Sequence, residues 1–379
     1  MGHIRDRWGD PTRAGRNPNS RYQVKYRVDG REKQGGSFRT LAEARRKLIE
    51  LEASVHRGQW IDPNDRTLVA EECRAYAATR PYGRSTAERV DGYVRNHIDP
   101  TGLGARRLSS VRPSDVQVWV TERSTMMAPS TLRALVKFVR SVFAAAVLDN
   151  RIPRSPFVRI TLPRHEQERI VPLTVDQVRA LAAAMLPKYR AMVITQAGLG
   201  VRIGELLALR VEDVSFLRRS ARVEHQIDAH TRERVPPKTP RSRRTIPLPD
   251  VVSAALAEHL QLQPAAPDGL LFHTRAGLPY WHEYYTQKVF APAVAKAKLP
   301  PGTSSHDLRH HYASTLLAAG ESVIAVAERL GHENATLVLT TYGHLVQGAE
   351  DRTRKAVDGA WNVRSDASEV AATAQGRPG

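Results

Sequence analysis

Six residues in the second half of this 379-residue chain could together handle a phosphate: Arg202, Lys238, His306, Arg309, His332 and Tyr342. Arginine keeps its charge throughout the physiological range and offers a planar fork to two phosphate oxygens. Imidazoles can donate or pass on protons, and a phenol can act as a nucleophile once its proton is removed. No carboxylate cluster stands with them, so this chemistry calls for no divalent metal. The set suits attack on a phosphodiester by the protein itself, with cations stabilising the charge that builds up in the transition state.

Each member alone has a plainer reading. Arg202 and Glu205 fall three apart in Gly-Val-Arg202-Ile-Gly-Glu205-Leu-Leu, where Ile203, Leu206, Leu207 and Leu209 read as a buried helix face and the two charges as an intrahelical ion pair. Lys238 follows a strand-like run, 221–227, and precedes Thr245-Ile-Pro-Leu248, which places it near the tip or second arm of a β-hairpin; Arg241, Arg243 and Arg244 read in part as its basic, exposed loop. His306, Arg309 and His310 share a face of a helix that starts after Ser304-Ser305 and ends before Gly320. His306 and His310 also have the spacing of a helical zinc pair. Aspartate at 307 and the fixed charge of Arg309 argue for phosphate contact instead. His332 follows a helix stop at Leu330-Gly331, and Tyr342 ends a mildly apolar helical run from Leu337, where most tyrosines are core residues. Its phenol, ordinarily titrating at ~10, needs surrounding cations to act near neutrality.

These residues must be held by a mostly helical scaffold. A helix is expected from a clean start at Pro172, with Thr174 as N-cap, Gln177 closing a capping box, and Leu173 with Val178 as a hydrophobic staple. Before it, Arg151–Pro172 carries Pro153, Pro156, Pro163 and Pro172 without periodicity, a domain boundary. From Leu68 to Asn150 the pattern is helical; after a cap at Ser130, residues Leu132, Leu135, Val136, Val139, Val142, Phe143, Ala146 and Val147 keep one apolar face, while Arg133, Lys137 and Arg140 fall off it. Nearer the N-terminus, Tyr22, Val24, Tyr26 and Val28 alternate with polar residues, Asp29-Gly30 supplies a turn and Phe38 ends a second strand. Thr40 and Glu43 then form a capping box before a helix that stops near Gly58, and Ile61–Asp65 reads as a linker.

Composition narrows the partner. Lys and Arg outnumber Asp and Glu by 57 to 39, a formal charge of +18, and the spread of these residues favours nucleic acid over one small anion. Residues 1–60 alone hold 14 basic against 7 acidic side chains. A single cysteine, Cys73, excludes an internal disulfide and a cysteine-rich zinc module. With no apolar leader at the start and no run of membrane-spanning length, a cytoplasmic protein without membrane contact is expected.

In their order and separations the motifs resemble the tyrosine recombinase family, most closely its phage-type, actinobacterial-like integrases. The likeness runs through nearly all of residues 170–350; its motifs are weak singly and highly specific together. One departure is Gln196-Ala-Gly-Leu-Gly-Val-Arg202, where many relatives carry Thr-Gly before Leu-Arg, so the start of that helix is expected to differ slightly.

The resemblance implies an α+β multidomain fold. A small β-β-α N-terminal domain (1–62) would read arm-type DNA sites, and an all-helical core-binding domain (66–160) would clamp DNA with Arg133, Lys137 and Arg140. A mainly α catalytic domain with a small β-sheet (170–358) would follow, then a disordered tail (359–379). It further implies that Arg202 and Arg309 hold the scissile phosphate, that Glu205 braces Arg202, and that Lys238 protonates the departing 5′ oxygen. His306 would bond the phosphate or help move the nucleophile's proton, His332 would donate to a non-bridging oxygen, and Tyr342 would be the nucleophile. Arg241 and Arg243 would touch DNA beside Lys238. The function implied is a site-specific recombinase that integrates or excises a mobile element, using neither cofactor nor metal. Its partners would be double-stranded attachment sites, three further copies of itself, and an excisionase or DNA-bending protein. A type IB-like topoisomerase and a non-catalytic DNA-binding regulator are the rivals; the extra basic N-terminal domain argues against the first and the complete set of six residues against the second.

Overall fold

The alternating run at Tyr22 forms the middle of an antiparallel sheet. In the computed structural model, which describes residues 2–9, 20–28, 30–57, 60–62, 65–164, 170–332, 334–343 and 353–361, the strands are β1 (His3–Asp6), β2 (Tyr22–Val28) and β3 (Arg31–Phe38), in the order β1-β2-β3. The expected hairpin is thus a three-stranded sheet. β1 is four residues of mixed polarity, too short to show alternation, and pairs with β2 from His3↔Lys25 to Asp6↔Tyr22. Asp29 of the expected turn lies outside the described residues. Helix α1 (Leu41–His56) starts as the capping box requires: the Glu43 amide donates to Thr40 Oγ1, and the Thr40 amide donates to the Glu43 carboxylate. It closes a small core of Val24, Tyr26, Ala44 and Leu51.

The chain divides into two compact units, Met1–Gln167 and Glu168–Gly379. In the first, α2 (Val69–Ala78), α3 (Arg84–His97), α4 (Pro113–Ser124) and α5 (Pro129–Leu148) surround a second core. α5 begins two residues earlier than its pattern suggested, with Ala128 at the cap and Pro129 in the first turn, where proline's missing N–H costs nothing. Its stripe, Leu132, Leu135, Val136, Val139, Val142, Phe143 and Ala146, is buried. Truncating one such aromatic to alanine costs about 3–5 kcal/mol. The expected linker at 61–65 is described only in part, but Asp65 accepts from Arg151 at 2.7 Å, and Arg151 also pairs with buried Glu72. Cys73 is buried in this core, which pushes its thiol up to about 12.

In the second unit, α6 (Val175–Ala184) starts at the Thr174–Gln177 capping box. It is followed by α7 (Pro187–Leu199), α8 (Ile203–Leu207), α9 (Asp250–Leu262), α10 (His282–Tyr284), a π turn (Tyr285–Phe290), α11 (Ala291–Lys296), α12 (Ser305–Ala318), α13 (Val323–Leu330) and α14 (Thr336–Tyr342). Between α8 and α9, β4 (Val214–Ser215), β5 (Ser220–Val223) and β8 (Arg244–Pro247) make one small sheet, and β6 (Gln226–Ile227) pairs with β7 (Arg234–Val235) in another. The excursion from β5 to β8 therefore contains a second hairpin, and Lys238 lies past it, three residues beyond β7. Of the tail expected to be disordered, residues 359–361 end a helical stretch, 353–361, and the rest lies outside the described residues.

Candidate active site

Two glycines shape the site. Gly200 ends α7 with φ +63°, and a Cβ there would lie 2.3 Å from the Tyr312 ring, so α7 and α12 approach closely only because this residue has no side chain. The same glycine's carbonyl accepts from Arg309 Nη1 at 2.7 Å. Gly331, φ +67°, ends α13 and turns the chain so that His332 emerges beside Arg309.

Arg202 is not inside a helix, as Arg-x-x-Glu suggested, but is the residue capping α8. Its backbone N–H donates to one Glu205 oxygen at 2.9 Å and its guanidinium to the other at 2.9 Å. Glu205 is 1% exposed and is gripped from its other side by Arg244, at 2.8 and 3.2 Å. Burial alone would raise the Glu205 carboxyl; the hydrogen bonds and charges of Arg244, then Arg202, outweigh it and hold the group below the usual carboxylate range. Arg244 is thus no part of an exposed loop. Its side chain is 6% exposed and also donates to the Arg329 carbonyl at 2.6 Å. Sequence offered one signal for it: Arg244 opens strand β8, next to Thr245-Ile-Pro.

Arg309 is buried within α12 and makes three contacts, to the carbonyls of Gly200 and Leu330 (2.6 Å) and to His332 Nε2 (2.9 Å). Burial, with Arg202 and Arg244 nearby, lowers it to about 9, leaving it charged at neutral pH. Burial followed by Arg309 and Arg202 pushes His332 down to about 4, so the ring is neutral; its Nε2 accepts from Arg309 and the proton sits on Nδ1, which has no partner among the described residues.

An open groove of about 820 Å³ joins part of this set. Arg202, Lys238, Thr239, Ser242 and His332 line it, opposite Thr336, Leu337 and Thr340 of α14, and no carboxylate among the described residues does. Tyr342 is not there. It is 2% exposed, sits with Val338 in the core, and its hydroxyl lies 2.6 Å from His310 Nδ1. Burial raises the phenol to about 12, against the lowering effect of Arg309. The expectation that the cations would favour a phenolate fails for this arrangement, because desolvation outweighs the one arginine charge that acts on it. His306 stands on the solvent side of α12, edge-on to His310 with centroids 4.7 Å apart. Partial burial, His310 and Arg309 hold it below the ordinary imidazole range.

The expected DNA contacts are exposed: Arg241 and Arg243 flank the groove-lining Ser242, and Arg133, Lys137 and Arg140 project from α5. Arg133 also donates to the Pro163 carbonyl at 2.8 Å, and Arg140 lies over Phe157. Among the described residues, no three His, Cys, Asp or Glu side chains are grouped to hold a metal, and no helix is long and apolar enough to cross a membrane.

Residues 172–348 match the phage integrase family. The chain is 27% identical over 359 residues to an integrase of Streptomyces ambofaciens, covering 89% of each. Its fold is similar to the Tn1549 transposon integrase in complex with a circular intermediate DNA, with TM-score 0.67 and 24% identity, covering 73% of this chain and 94% of that one. It is also similar to a lambda integrase, solved as a tetramer bound to a Holliday junction, with TM-score 0.56 and 16% identity, covering 86% and 97%.

Proposed function

We propose that this chain, whose residues 172–348 match the phage integrase family, is a tyrosine recombinase of a mobile element that binds DNA and breaks and rejoins its strands, that Tyr342 is its nucleophile and that the groove of Arg202, Lys238 and His332 receives the scissile phosphate. The observation that carries this reading is the composition of that groove: a guanidinium, an ammonium and an imidazole converge, with no carboxylate among the described residues, one helical turn from a tyrosine.

The Tyr342 oxygen attacks phosphorus, forming a 3′-phosphotyrosyl bond as the bond to the 5′ oxygen breaks. Lys238 gives that oxygen a proton, and the tyrosine's proton leaves by way of His306. Arg202, Arg309 and the Nδ1–H of His332 meet the charge on the non-bridging oxygens, the largest stabilisation available without a metal. The freed 5′-hydroxyl of one duplex then attacks the phosphotyrosyl bond of another. Bond energy is conserved in the covalent link, so ATP has no part in the reaction.

Four copies act on two duplexes in the cytoplasm. Residues 1–62 read arm sites, and residues 66–160 bind the core site with Arg133, Lys137 and Arg140, whose phosphate contacts position the DNA. Arg241 and Arg243 do the same beside Lys238. The test is to mix two labelled duplexes that carry the attachment sites flanking the element. Reciprocal strand exchange supports the reading; relaxation of supercoiled DNA without exchange would support a topoisomerase, and binding without cleavage a regulator.

A further inference from the structure

The helical pair His306 and His310 leaves one imidazole without a part in that scheme. His310 Nδ1 lies 2.6 Å from the Tyr342 hydroxyl, with the rings tilted 61° and their centroids 5.5 Å apart. Burial lowers His310 and raises Tyr342, so the phenol is protonated and donates, and the neutral imidazole accepts at Nδ1. Along α14, Thr336, Leu337 and Thr340 face the groove, whereas Val338 and Tyr342 share the buried face, as i and i+4 positions do. The hydroxyl that must meet a phosphate is therefore tied elsewhere.

We propose that His310 is a positioning residue for Tyr342: in the protein without DNA it binds the phenol hydrogen at Nδ1, keeping the nucleophile protonated and out of the groove, and Tyr342 reaches a phosphate only when this bond breaks. The proposal rests on Tyr342 being the nucleophile. Two features give the tie its strength. The pair is partly buried, where a hydrogen bond is held better than in water, and His306 stands edge-on against the imidazole. A neutral hydrogen bond of this kind contributes roughly a two- to tenfold bias between the tied and released positions.

The test uses the full chain and two substitutions. His310→Leu removes the acceptor and keeps an apolar filling; His310→Asn sets an amide oxygen close to the place of Nδ1. The first readout is nitration of the DNA-free protein by tetranitromethane, followed by peptide mass at Tyr342, with fully buried Tyr285 as internal control. The second is the single-turnover rate of covalent complex formation on a suicide duplex. The expected result is a two- to tenfold faster nitration of Tyr342 in His310→Leu with Tyr285 unchanged, a faster covalent step, and wild-type behaviour in His310→Asn. Equal nitration of Tyr342 in all three proteins overturns the proposal, as does a slower covalent step in His310→Leu. If His310→Leu exposes both tyrosines it has loosened the fold, and His310→Asn decides: Tyr342 protected supports the tie, while Tyr342 reactive beside protected Tyr285 refutes it. Covalent complex from Tyr342→Phe would instead remove the nucleophile on which the proposal rests.

Discussion

Arg244 holds Glu205 by both carboxylate oxygens, at 2.8 and 3.2 Å, and Glu205 in turn holds the backbone and the guanidinium of Arg202. A buried acid thus links two arginines, one inside the protein and one at the groove. Removing the inner partner leaves an undercompensated buried charge, so Arg244→Ala is expected to cost about 3–5 kcal/mol of stability. Denaturant unfolding measures this, and a loss below about 1 kcal/mol would mean that Glu205 is satisfied without Arg244.

Arg202 and Arg309 are predicted to fail differently. Each loss should slow cleavage by ~10²–10³, the effect of one preorganised charge donor. Arg202 is part-exposed, and Arg202→Ala should melt close to wild type. Arg309 ties two buried carbonyls together, and Arg309→Ala should also lower the melting temperature. Calorimetry beside a cleavage assay separates them; identical melting shifts would contradict the different burial. The chemistry proposed should also persist in excess EDTA, and loss of cleavage with recovery on adding zinc would point to His306 and His310 as metal ligands.

Stability should fall on acidification. His332 is depressed to about 4 in the folded chain and titrates near ~6.5 when unfolded. Its contribution is complete above pH ~6.5, because the unfolded state takes up the proton first, and is lost as pH falls toward about 4. The lowered Glu205 carboxyl adds a loss at still lower pH. His332→Gln should flatten the upper part of this slope in melting temperature against pH, leaving the remainder to the other histidines that burial lowers, among them His259, His306 and His310. An unchanged slope would place the proton uptake elsewhere.

Local signals were legible in the sequence because they act over one or two turns. The Thr40–Glu43 and Thr174–Gln177 boxes, the apolar stripe of α5 and the glycine stop before His332 stand where spacing put them. What escaped depends on distant partners. β1 exists through pairing with β2. Arg244 reads as one more surface arginine until Glu205, 39 positions away, is seen beside it. The Tyr342–His310 contact spans 32 positions and reverses the expected effect of the cations on the phenol, since burial is a property of the tertiary fold.

Lys238 has a test that separates proton donation from charge. Lys238→Ala should cleave ordinary DNA very slowly, because an alkoxide leaves poorly without a proton. With sulfur in place of the bridging 5′ oxygen the leaving group needs none, and the variant should recover much of its rate. Arg202→Ala should not recover. Equal failure of Lys238→Ala on both substrates would reduce the lysine to a DNA-backbone contact.

The central claim, that Tyr342 itself becomes joined to DNA, is tested most directly by trapping. Wild-type protein and Tyr342→Phe are incubated with an end-labelled suicide duplex bearing the core site, denatured, digested and mapped by mass. The account predicts that the wild-type adduct sits on the peptide containing Tyr342, linked through a 3′ phosphate, and that Tyr342→Phe binds the duplex with nearly unchanged affinity but gives no adduct. A protein–DNA adduct from Tyr342→Phe, or a wild-type adduct on any other residue, would contradict it.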